Sequence, residues 1–279
     1  MARYGMIIDI NKCNGCYNCF LACRDEYAGN AYPPWSESQP TSGQYWMNVR
    51  EVERGTYPKV KVAYIPTLCM HCKDASCLVA VPNHAVYRRP DGIVIIDPDK
   101  AKGLKEIVTA CPYRVIYWNE EKKIPQECTF CAHLLDRGWR QPRCVEACPT
   151  GALIFGDLED TESEISKLWS SGYGEQLHPE FNMEPAVRYI GLPRRFIAGE
   201  VLFGDRQDEC AEGVNVTLTS GSEELTIQTD SFGDFEFNGL EKDTDYTISI
   251  ECEGYTPRKL SVRTKTDVNL GEIILEPQK

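Results

Sequence analysis

Short apolar runs bounded by turn residues, rather than long periodic helices, characterise the first 155 residues. The segments 7–12 (IIDINK) and 93–100 (IVIIDPDK) each predict a buried strand that ends in a turn. After each segment, the spacing of the residues that follow can be aligned with that of the other. This similarity predicts an internal repeat, that is, two related modules in the first part of the chain.

A different pattern begins at residue 196, where short alternating runs are separated by Gly, Asp and Asn turns. It predicts a seven-stranded antiparallel β-sandwich over residues 196–279. The predicted strands span 197–203, 214–219, 225–229, 234–237, 246–251, 258–263 and 269–275. Residues 156–195 are polar, acidic and contain prolines, which predicts an extended linker or wrapping segment. The sequence therefore predicts an α+β chain with domains at 1–155 and 196–279.

Composition and charge narrow the possible functions. The 279 residues are 42% hydrophobic, which is enough for packed cores, and the formal net charge is -12. Such an acidic chain is a poor match for nucleic acid or for an anionic lipid surface. No segment approaches the roughly 18 apolar residues of a membrane helix, and the start of the chain shows no apolar signal region. We therefore expect a cytoplasmic protein with no direct membrane insertion.

The chain has fourteen cysteines, and many neighbouring cysteines are separated by two intervening residues. In a core-forming chain without a secretion signal, such groups favour metal ligands over disulfides. The first group is Cys13-x2-Cys16-x2-Cys19-x3-Cys23. This is the spacing of bacterial ferredoxins, in which three cysteines bind one cluster and the fourth binds a second cluster.

The second and third groups are incomplete. Cys69-x2-Cys72-x4-Cys77 is followed by Val81 where a fourth cysteine would be expected. The segment 81–86 (VPNHAV) nevertheless parallels 148–153 (CPTGAL), which begins with the Cys-Pro ending of a ferredoxin motif. After the 93–100 segment, the same spacing falls on Ala101, Leu104, Ile107 and Cys111. Only the last ligand of this third motif is present.

The fourth group is Cys128-x2-Cys131-x12-Cys144-x3-Cys148. By itself this spacing is compatible with a zinc ribbon or with a ferredoxin motif that has a long loop. The ferredoxin-type groups that accompany it favour iron.

The fourth cysteine of each ferredoxin motif belongs to the cluster of its partner motif, which makes a test of pairing possible. Pairing the first motif with the fourth, and the second with the third, gives three complete sets of four cysteines. We call them the first site (Cys13, Cys16, Cys19, Cys148), the second site (Cys23, Cys128, Cys131, Cys144) and the third site (Cys69, Cys72, Cys77, Cys111).

The remaining set, which we call the lost site, consists of Val81, Ala101, Leu104 and Ile107. All four missing cysteines fall in this one set, whereas random loss would break several sets. The sequence therefore predicts three [4Fe-4S] clusters and a fourth position filled by apolar packing. The first 155 residues are accordingly predicted to form tandem ferredoxin-like modules.

Several residues lie outside this scheme. Cys210 and Cys252, in the strand-rich tail, are predicted to be buried thiols rather than ligands or a disulfide. His71 and His133 lie inside motifs whose sets already hold four cysteines, so we expect hydrogen-bonding or surface groups. The aromatic-rich insertion at 24–68 could anchor a partner or cover the clusters, and both possibilities stay open. No catalytic residue is predicted.

The four-motif order resembles the iron-sulfur subunits of the dimethyl sulfoxide reductase family of molybdopterin enzymes, over residues 1 to about 200. The resemblance includes the segment 189–193 (YIGLP). In the C-terminal part, 229–235 (TDSFGDF) and 253–255 (EGY) resemble carboxypeptidase-regulatory-like or transthyretin-like β-domains.

The family resemblance implies a non-catalytic electron-transfer chain in a heterodimer or higher assembly. Its large partner would carry molybdenum or tungsten on two pterin cofactors. Relatives normally hold four clusters, and three clusters with a C-terminal β-domain resemble members that move a hydroxyl group between polyhydroxybenzenes. Two alternatives stay open: a subunit of a respiratory reductase or dehydrogenase, and a stand-alone electron carrier or zinc-bound assembly protein.

Overall fold

The computed structural model describes residues 2–81, 83–206 and 208–278. The chain divides into two compact units. Unit 1 comprises Met1–Glu51 and Tyr64–Leu192, and unit 2 comprises Val52–Ala63 and Pro193–Lys279.

Unit 1 combines short strands with short helices, and it shares a longer hairpin, β2–β3, with unit 2. The strands are β1 (Tyr4–Asp9), β2 (Asn48–Thr56), β3 (Lys59–Thr67), β4 (Val86–Arg88), β5 (Val94–Ile96), β6 (Tyr117–Asn119), β7 (Ile124–Gln126), β8 (Leu153–Asp157) and β9 (Val187–Ile190). The helices are α1 (Asn18–Tyr27), α2 (Ser76–Val79), α3 (Glu106–Thr109), α4 (Ala132–Leu135), α5 (Arg143–Glu146) and α6 (Glu164–Ser170), with 3-10 turns at Ile10–Lys12 and Pro179–Phe181. In the described part of the chain no helix is long and apolar enough to cross a membrane.

The central sheet of unit 1 has the order β8-β1-β9. Strand β1 runs antiparallel to β8 and parallel to β9, so it is paired on both edges. Its residues Met6, Ile7 and Ile8 are fully buried, which explains why the sequence shows a continuous apolar run instead of an alternation.

An aspartate ends the strand before each of two cysteine-type loops. The Asp9 carboxylate accepts the backbone N–H of Asn11 at 3.1 Å, and the 3-10 turn that follows leads to Cys13. Asp97 does the same after β5, accepting the N–H groups of Asp99 and Lys100 at 3.1 Å. Such local side-chain bonds favour a turn over a continued strand. The turns expected from the similarity of 7–12 and 93–100 are therefore present.

Unit 2 contains β10 (Arg195–Phe203), β11 (Asn215–Ser220), β12 (Glu223–Gln228), β13 (Asp234–Leu240), β14 (Asp245–Glu251), β15 (Arg258–Arg263) and β16 (Val268–Leu275). They form two sheets, of order β13-β10-β16 and β12-β11-β14-β15. Along β14, Tyr246, Ile248 and Ile250 are buried and alternate with more accessible residues. They belong to one apolar cluster with Val201 and Phe237. Each predicted strand segment overlaps one of these strands.

The expectation of a wholly antiparallel domain is wrong, because β10 pairs in parallel with β16, with Phe203 opposite Leu275. These are the first and last strands of the unit. No hairpin joins them, so nothing in their connection requires an antiparallel arrangement.

The segment 156–195, expected to be an extended linker or wrapping segment, is not extended throughout. This segment contains α6 and β9, and Val187 and Tyr189 of β9 are fully buried beside β1. The predicted first domain also held the whole 24–68 insertion, whereas residues 52–63 belong to unit 2. There Lys59 and Lys61 form ion pairs of 2.5 Å with carboxylates of β13.

Candidate iron-sulfur sites

The first site is assembled from separate parts of unit 1. Cys13 follows the first 3-10 turn, Cys19 lies in α1, and Cys148 comes after α5. The charges of the other three thiols all act on Cys19, whose pKa is raised to about 12, mainly by burial. Cys16 is exposed whereas Cys19 is buried. The first site therefore reaches the surface of unit 1.

The second site is enclosed, since all four of its thiols are buried. Burial, together with the charges of the other three thiols, raises the pKa of Cys144 well above its usual value. Two neighbours donate hydrogen bonds into the site. The Tyr27 hydroxyl donates to Cys131, and the backbone N–H of Met47 donates to Cys23.

The third site surrounds a small cavity. Its four cysteines all line that cavity, with Glu127, Tyr113 and Met183 among the other walls. Cys69, Cys72 and Cys77 are buried and Cys111 is half-buried.

One backbone feature recurs in the three cysteine loops. The residue two positions after the first cysteine is left-handed, with φ of 69° at Gly15, 44° at His71 and 49° at Phe130. The Phe130 N–H donates to Cys128 Sγ at 3.4 Å, and the backbone N–H groups of Gly15 and His71 likewise act to lower the pKa of Cys13 and Cys69. These bonds oppose the larger effect of burial on the thiol pKa and stabilise the thiolate that a metal requires.

The lost site keeps the loop without the ligands. Gly103, two residues after Ala101, has φ of 83°, the same left-handed turn as in the cysteine loops. Its N–H donates to the carbonyl oxygen of Lys123 at 2.8 Å instead of to a sulfur atom. Ala101 and Ile107 are fully buried, Val81 is 6% exposed and Leu104 is half-buried. Pro82, which belongs to the 81–86 segment, lies outside the described residues.

Within the described part of the chain, no three His, Cys, Asp or Glu side chains converge closely enough to hold a single metal ion. A [4Fe-4S] cube binds each of its four cysteines through a different iron atom, so its ligands surround a volume rather than a point. The arrangement of the third-site thiols around a cavity is of that kind.

The thiol chemistry fits such clusters. Burial raises the pKa of Cys23 and Cys72 to about 12, because an isolated thiolate is costly in a low-dielectric interior. Bound iron would offset that cost, and each of the three sites has the four thiols that one cluster needs. A bound cluster supplies one-electron transfer. That the twelve cysteines are the ligands stays a prediction.

Both histidines are buried, so the surface alternative for them is wrong. His133 is 0% exposed, its Nε2 lies 2.8 Å from the Glu26 carboxylate, and its ring stacks on Tyr32 at 3.7 Å. His71 is 1% exposed, and its Nδ1 accepts the N–H of Val94 at 3.0 Å. The hydrogen-bonding alternative describes both residues.

The aromatic residues of the 24–68 insertion pack mainly inward. Trp46 is 1% exposed and its ring lies 4.4 Å from that of Tyr27, which donates to Cys131. Tyr32 covers His133 in the same region. These contacts favour the interpretation that the insertion covers the second site. Tyr45 and Tyr57 are exceptions, with 37% and 91% exposure.

Sequence reasoning missed Glu127. This side chain is 3% exposed, lines the third-site cavity, and its Oε1 has no hydrogen-bond partner among the described residues. Burial raises its pKa to about 8, although a hydrogen bond with Cys69 acts in the opposite direction. Its position directly before Cys128 was a signal that could have been used.

The two remaining cysteines are free thiols. Cys252 is half-buried and packs against the core of unit 2, whereas Cys210 is exposed. The expectation that Cys210 is buried is wrong, because it lies in the loop between β10 and β11 rather than on a strand.

Comparison with known proteins agrees with both parts of this description. Residues 60–158 match the 4Fe-4S dicluster domain and residues 197–275 match the carboxypeptidase regulatory-like domain. A subunit of the sulfite dehydrogenase of Allochromatium vinosum is 35% identical, covering 70% of this chain and 85% of its own length. The arsenate respiratory reductase iron-sulfur subunit of a Shewanella species is 32% identical, covering 67% of this chain and 96% of its own.

The chain therefore belongs to the iron-sulfur subunits of the dimethyl sulfoxide reductase family of molybdopterin enzymes. Within this family it is 42% identical to the pyrogallol hydroxytransferase small subunit of Pelobacter acidigallici, over 99% of this chain and 100% of that one. The predicted family and the predicted kind of C-terminal domain are both confirmed.

Proposed function

We propose that this chain is the electron-transfer subunit, without an active site of its own, of a molybdopterin transhydroxylase. The enzyme would move a hydroxyl group between polyhydroxybenzenes and thereby convert pyrogallol into phloroglucinol. A large partner subunit would carry the molybdenum bis-pterin cofactor and the substrate, in a heterodimer or a higher assembly. Three [4Fe-4S] clusters would be bound by the first, second and third sites.

The lost site carries this proposal. Cys19 of the first site acts electrostatically on Cys23 and Cys144 of the second site. Glu127 lines the third site and acts on Cys128 of the second. These electrostatic effects support the order first, second, third, beginning at the exposed Cys16.

A fourth cluster would continue that order, but buried apolar residues stand in its place. A reaction without net electron flow does not require a path by which electrons leave the complex. This is the property expected of hydroxyl transfer between two phenols, and it agrees with the full-length similarity to a pyrogallol hydroxytransferase subunit.

The decisive experiment is an assay of the purified native complex with pyrogallol, without any external electron donor or acceptor. The proposal expects sustained conversion to a trihydroxybenzene isomer with no consumption of redox equivalents. A complex that turns over only when an artificial electron carrier is supplied would be a reductase or dehydrogenase, and the proposal would be wrong.

Metal analysis separates this proposal from the stand-alone carrier and the zinc protein. Three clusters require about twelve iron atoms and about twelve acid-labile sulfides per chain. A molybdenum- or tungsten-containing large chain is expected to co-purify. Zinc in place of iron, or a chain that purifies alone with its full iron content, would contradict it.

A further inference from the structure

Unit 1 contains a second concave feature, separate from the cysteine sites. It is a cavity of about 560 Å³, lined by the basic side chains of Arg3, Lys73, Arg88, Arg89 and Arg188. Glu184 is the one acidic residue among the lining residues of the described chain. This concentration of positive charge stands out in a chain with a formal net charge of -12.

Three of the five basic groups are already neutralised by carboxylates. Arg3 pairs with Glu159 and Lys73 with Glu184, both at 2.8 Å. Arg89 is bound by two aspartates, at 2.8 Å and 2.6 Å. Two cations of the cavity wall remain.

Arg88 and Arg188 have no ion pair within the part of the chain that the structure describes. The Arg88 guanidinium donates to the carbonyl oxygen of Lys73. The Arg188 guanidinium donates to the carbonyl oxygen of Trp169 at 3.3 Å and lies 3.9 Å above the Trp169 ring. Because a guanidinium group has five N–H donors, most of the donors on both residues remain available.

The positive charges on the cavity wall also repel one another. Burial and, after it, the charge of Arg3 lower the pKa of Arg188. An anion in the cavity would relieve this repulsion.

His71 supplies an unsatisfied neutral donor on the cavity wall. Because its Nδ1 accepts the N–H of Val94, the neutral ring carries its hydrogen on Nε2. Nε2 is buried and has no partner among the described residues, while the side chain is 1% exposed. A buried donor without an acceptor is costly, so an acceptor in the cavity would be stabilising.

We propose that this cavity binds a small oxyanion, held by the guanidinium groups of Arg88 and Arg188 with His71 Nε2–H as a further donor. Guanidinium groups bind carboxylate and phosphate oxygens through parallel N–H bonds, which makes arginine the suited residue for this task. The oxyanion is either free in solution, as phosphate or sulfate, or the carboxylate of another chain.

The position of His71 links this cavity to the third site. The backbone N–H of His71 donates to Cys69, and the charge of Arg88 acts on Cys72. An anion at Arg88 therefore adds negative charge beside the third site. With its cluster bound, that site is expected to become harder to reduce.

The test uses the purified native complex and inorganic phosphate as the probe. Equilibrium dialysis is expected to show one saturable site per chain, and Arg88→Gln and Arg188→Gln are each expected to weaken binding by roughly tenfold or more. Arg258→Gln, at an exposed position on β15, is the matched control and should leave binding unchanged. Unchanged iron content in all three variants verifies that they are folded.

Redox titration followed by electron paramagnetic resonance gives the second readout. Phosphate is expected to lower the midpoint potential of one of three clusters, and this shift should disappear in Arg88→Gln. The binding measurement needs no assumption about the partner's substrate, so its failure is distinct from failure of the proposed function.

Two further results have defined meanings. If phosphate does not bind, but both variants release the large subunit while Arg258→Gln does not, the oxyanion is a carboxylate of the partner. If phosphate does not bind and assembly is unaffected, or if binding persists in both variants, the proposal is overturned.

Discussion

The two units of this chain are stabilised in different ways. In unit 2, strands of six to nine residues place alternating side chains into one continuous apolar cluster. In the described residues of unit 1, four of the six helices have only four residues and four of the strands have only three, with buried thiols between them. Such short elements are not stable by themselves. We therefore expect apolar burial to stabilise unit 2 and bound metal to contribute much of the stability of unit 1.

The lost site repeats this comparison on a smaller scale inside unit 1. Its loop has the same left-handed turn at Gly103 and the same aspartate-capped entry at Asp97 as a cysteine loop. Only the filling differs, with buried Ala101 and Ile107 in place of thiols. Local turn chemistry therefore determines the loop, while the ligands determine what the loop encloses.

Removal of iron is expected to show the largest difference between the two units. Extraction with a chelator under reducing conditions is expected to abolish the folded state of unit 1, because metal-binding energy is folding energy in such sites. Unit 2 should remain folded, since its core contains no cysteine site. Hydrogen exchange read by mass spectrometry would then show fast exchange through α1–α5 and continued protection in β11 and β14. Protection that persists in unit 1 without iron would contradict this account.

Loss of one ligand should affect one cluster. Cys111→Ala is expected to reduce the iron content from about twelve to about eight atoms per chain, since only the third site loses a thiolate. Cys252→Ala is the control, because this thiol lies against the core of unit 2 and belongs to no site. Reduced-state electron paramagnetic resonance would identify the affected cluster. If the signal of the first site disappeared instead, the pairing of motifs would be wrong.

A cavity created by substitution in the core of unit 2 should lower the free energy of unfolding without changing the iron content. Phe237 is 1% exposed in the apolar cluster, and Phe237→Ala is expected to cost about 3–5 kcal/mol of unfolding free energy. Phe232, 69% exposed, provides the control, for which Phe232→Ala should change stability by less than about 0.5 kcal/mol. Urea titration of the β-sheet circular dichroism signal measures both. Equal effects in the two variants would refute the role given to the cluster.

A truncating substitution at the lost site should have the effect of a substitution in an apolar core. Ile107→Ala is expected to destabilise unit 1 by about 2–4 kcal/mol, because Ile107 is fully buried. Iron content should stay at its original value, in contrast to Cys111→Ala. Val79→Ala, at a position 84% exposed, is the matched control and should have little effect. Loss of iron from Ile107→Ala would show that packing at the lost site also supports a neighbouring cluster, and the account of this site as independent apolar packing would be wrong.

The features that were predictable from sequence are those that one local pattern determines. The cysteine spacings could be paired because ligand number and loop length are limited by cluster chemistry. The strands of unit 2 could be found because alternation has a period of two. The pairing of β9 with β1 and the parallel pairing of β10 with β16 depend on distant parts of the chain. No window of sequence around them contains that information.

The smallest expected effect concerns an ion pair within unit 2 and depends on pH. The hydrogen bond from Lys59 to Asp234, 2.5 Å long, raises the pKa of Lys59 above its usual value. A pKa that is higher in the folded state contributes stability at pH below about 10.5, and this contribution disappears as pH rises through the raised pKa. Lys59→Met should therefore lower stability by about 0.5 kcal/mol at pH 7.

The difference between Lys59→Met and the unchanged protein should shrink as pH rises above about 10.5, and it should vanish once pH exceeds the raised pKa of Lys59. Lys265→Met is the control, since Lys265 is exposed and forms no ion pair in the described chain. Thermal unfolding at pH 7, 10 and 12 measures all three proteins. A Lys59→Met effect that stays constant across this range would mean that packing of the lysine stem, rather than its charge, stabilises this contact.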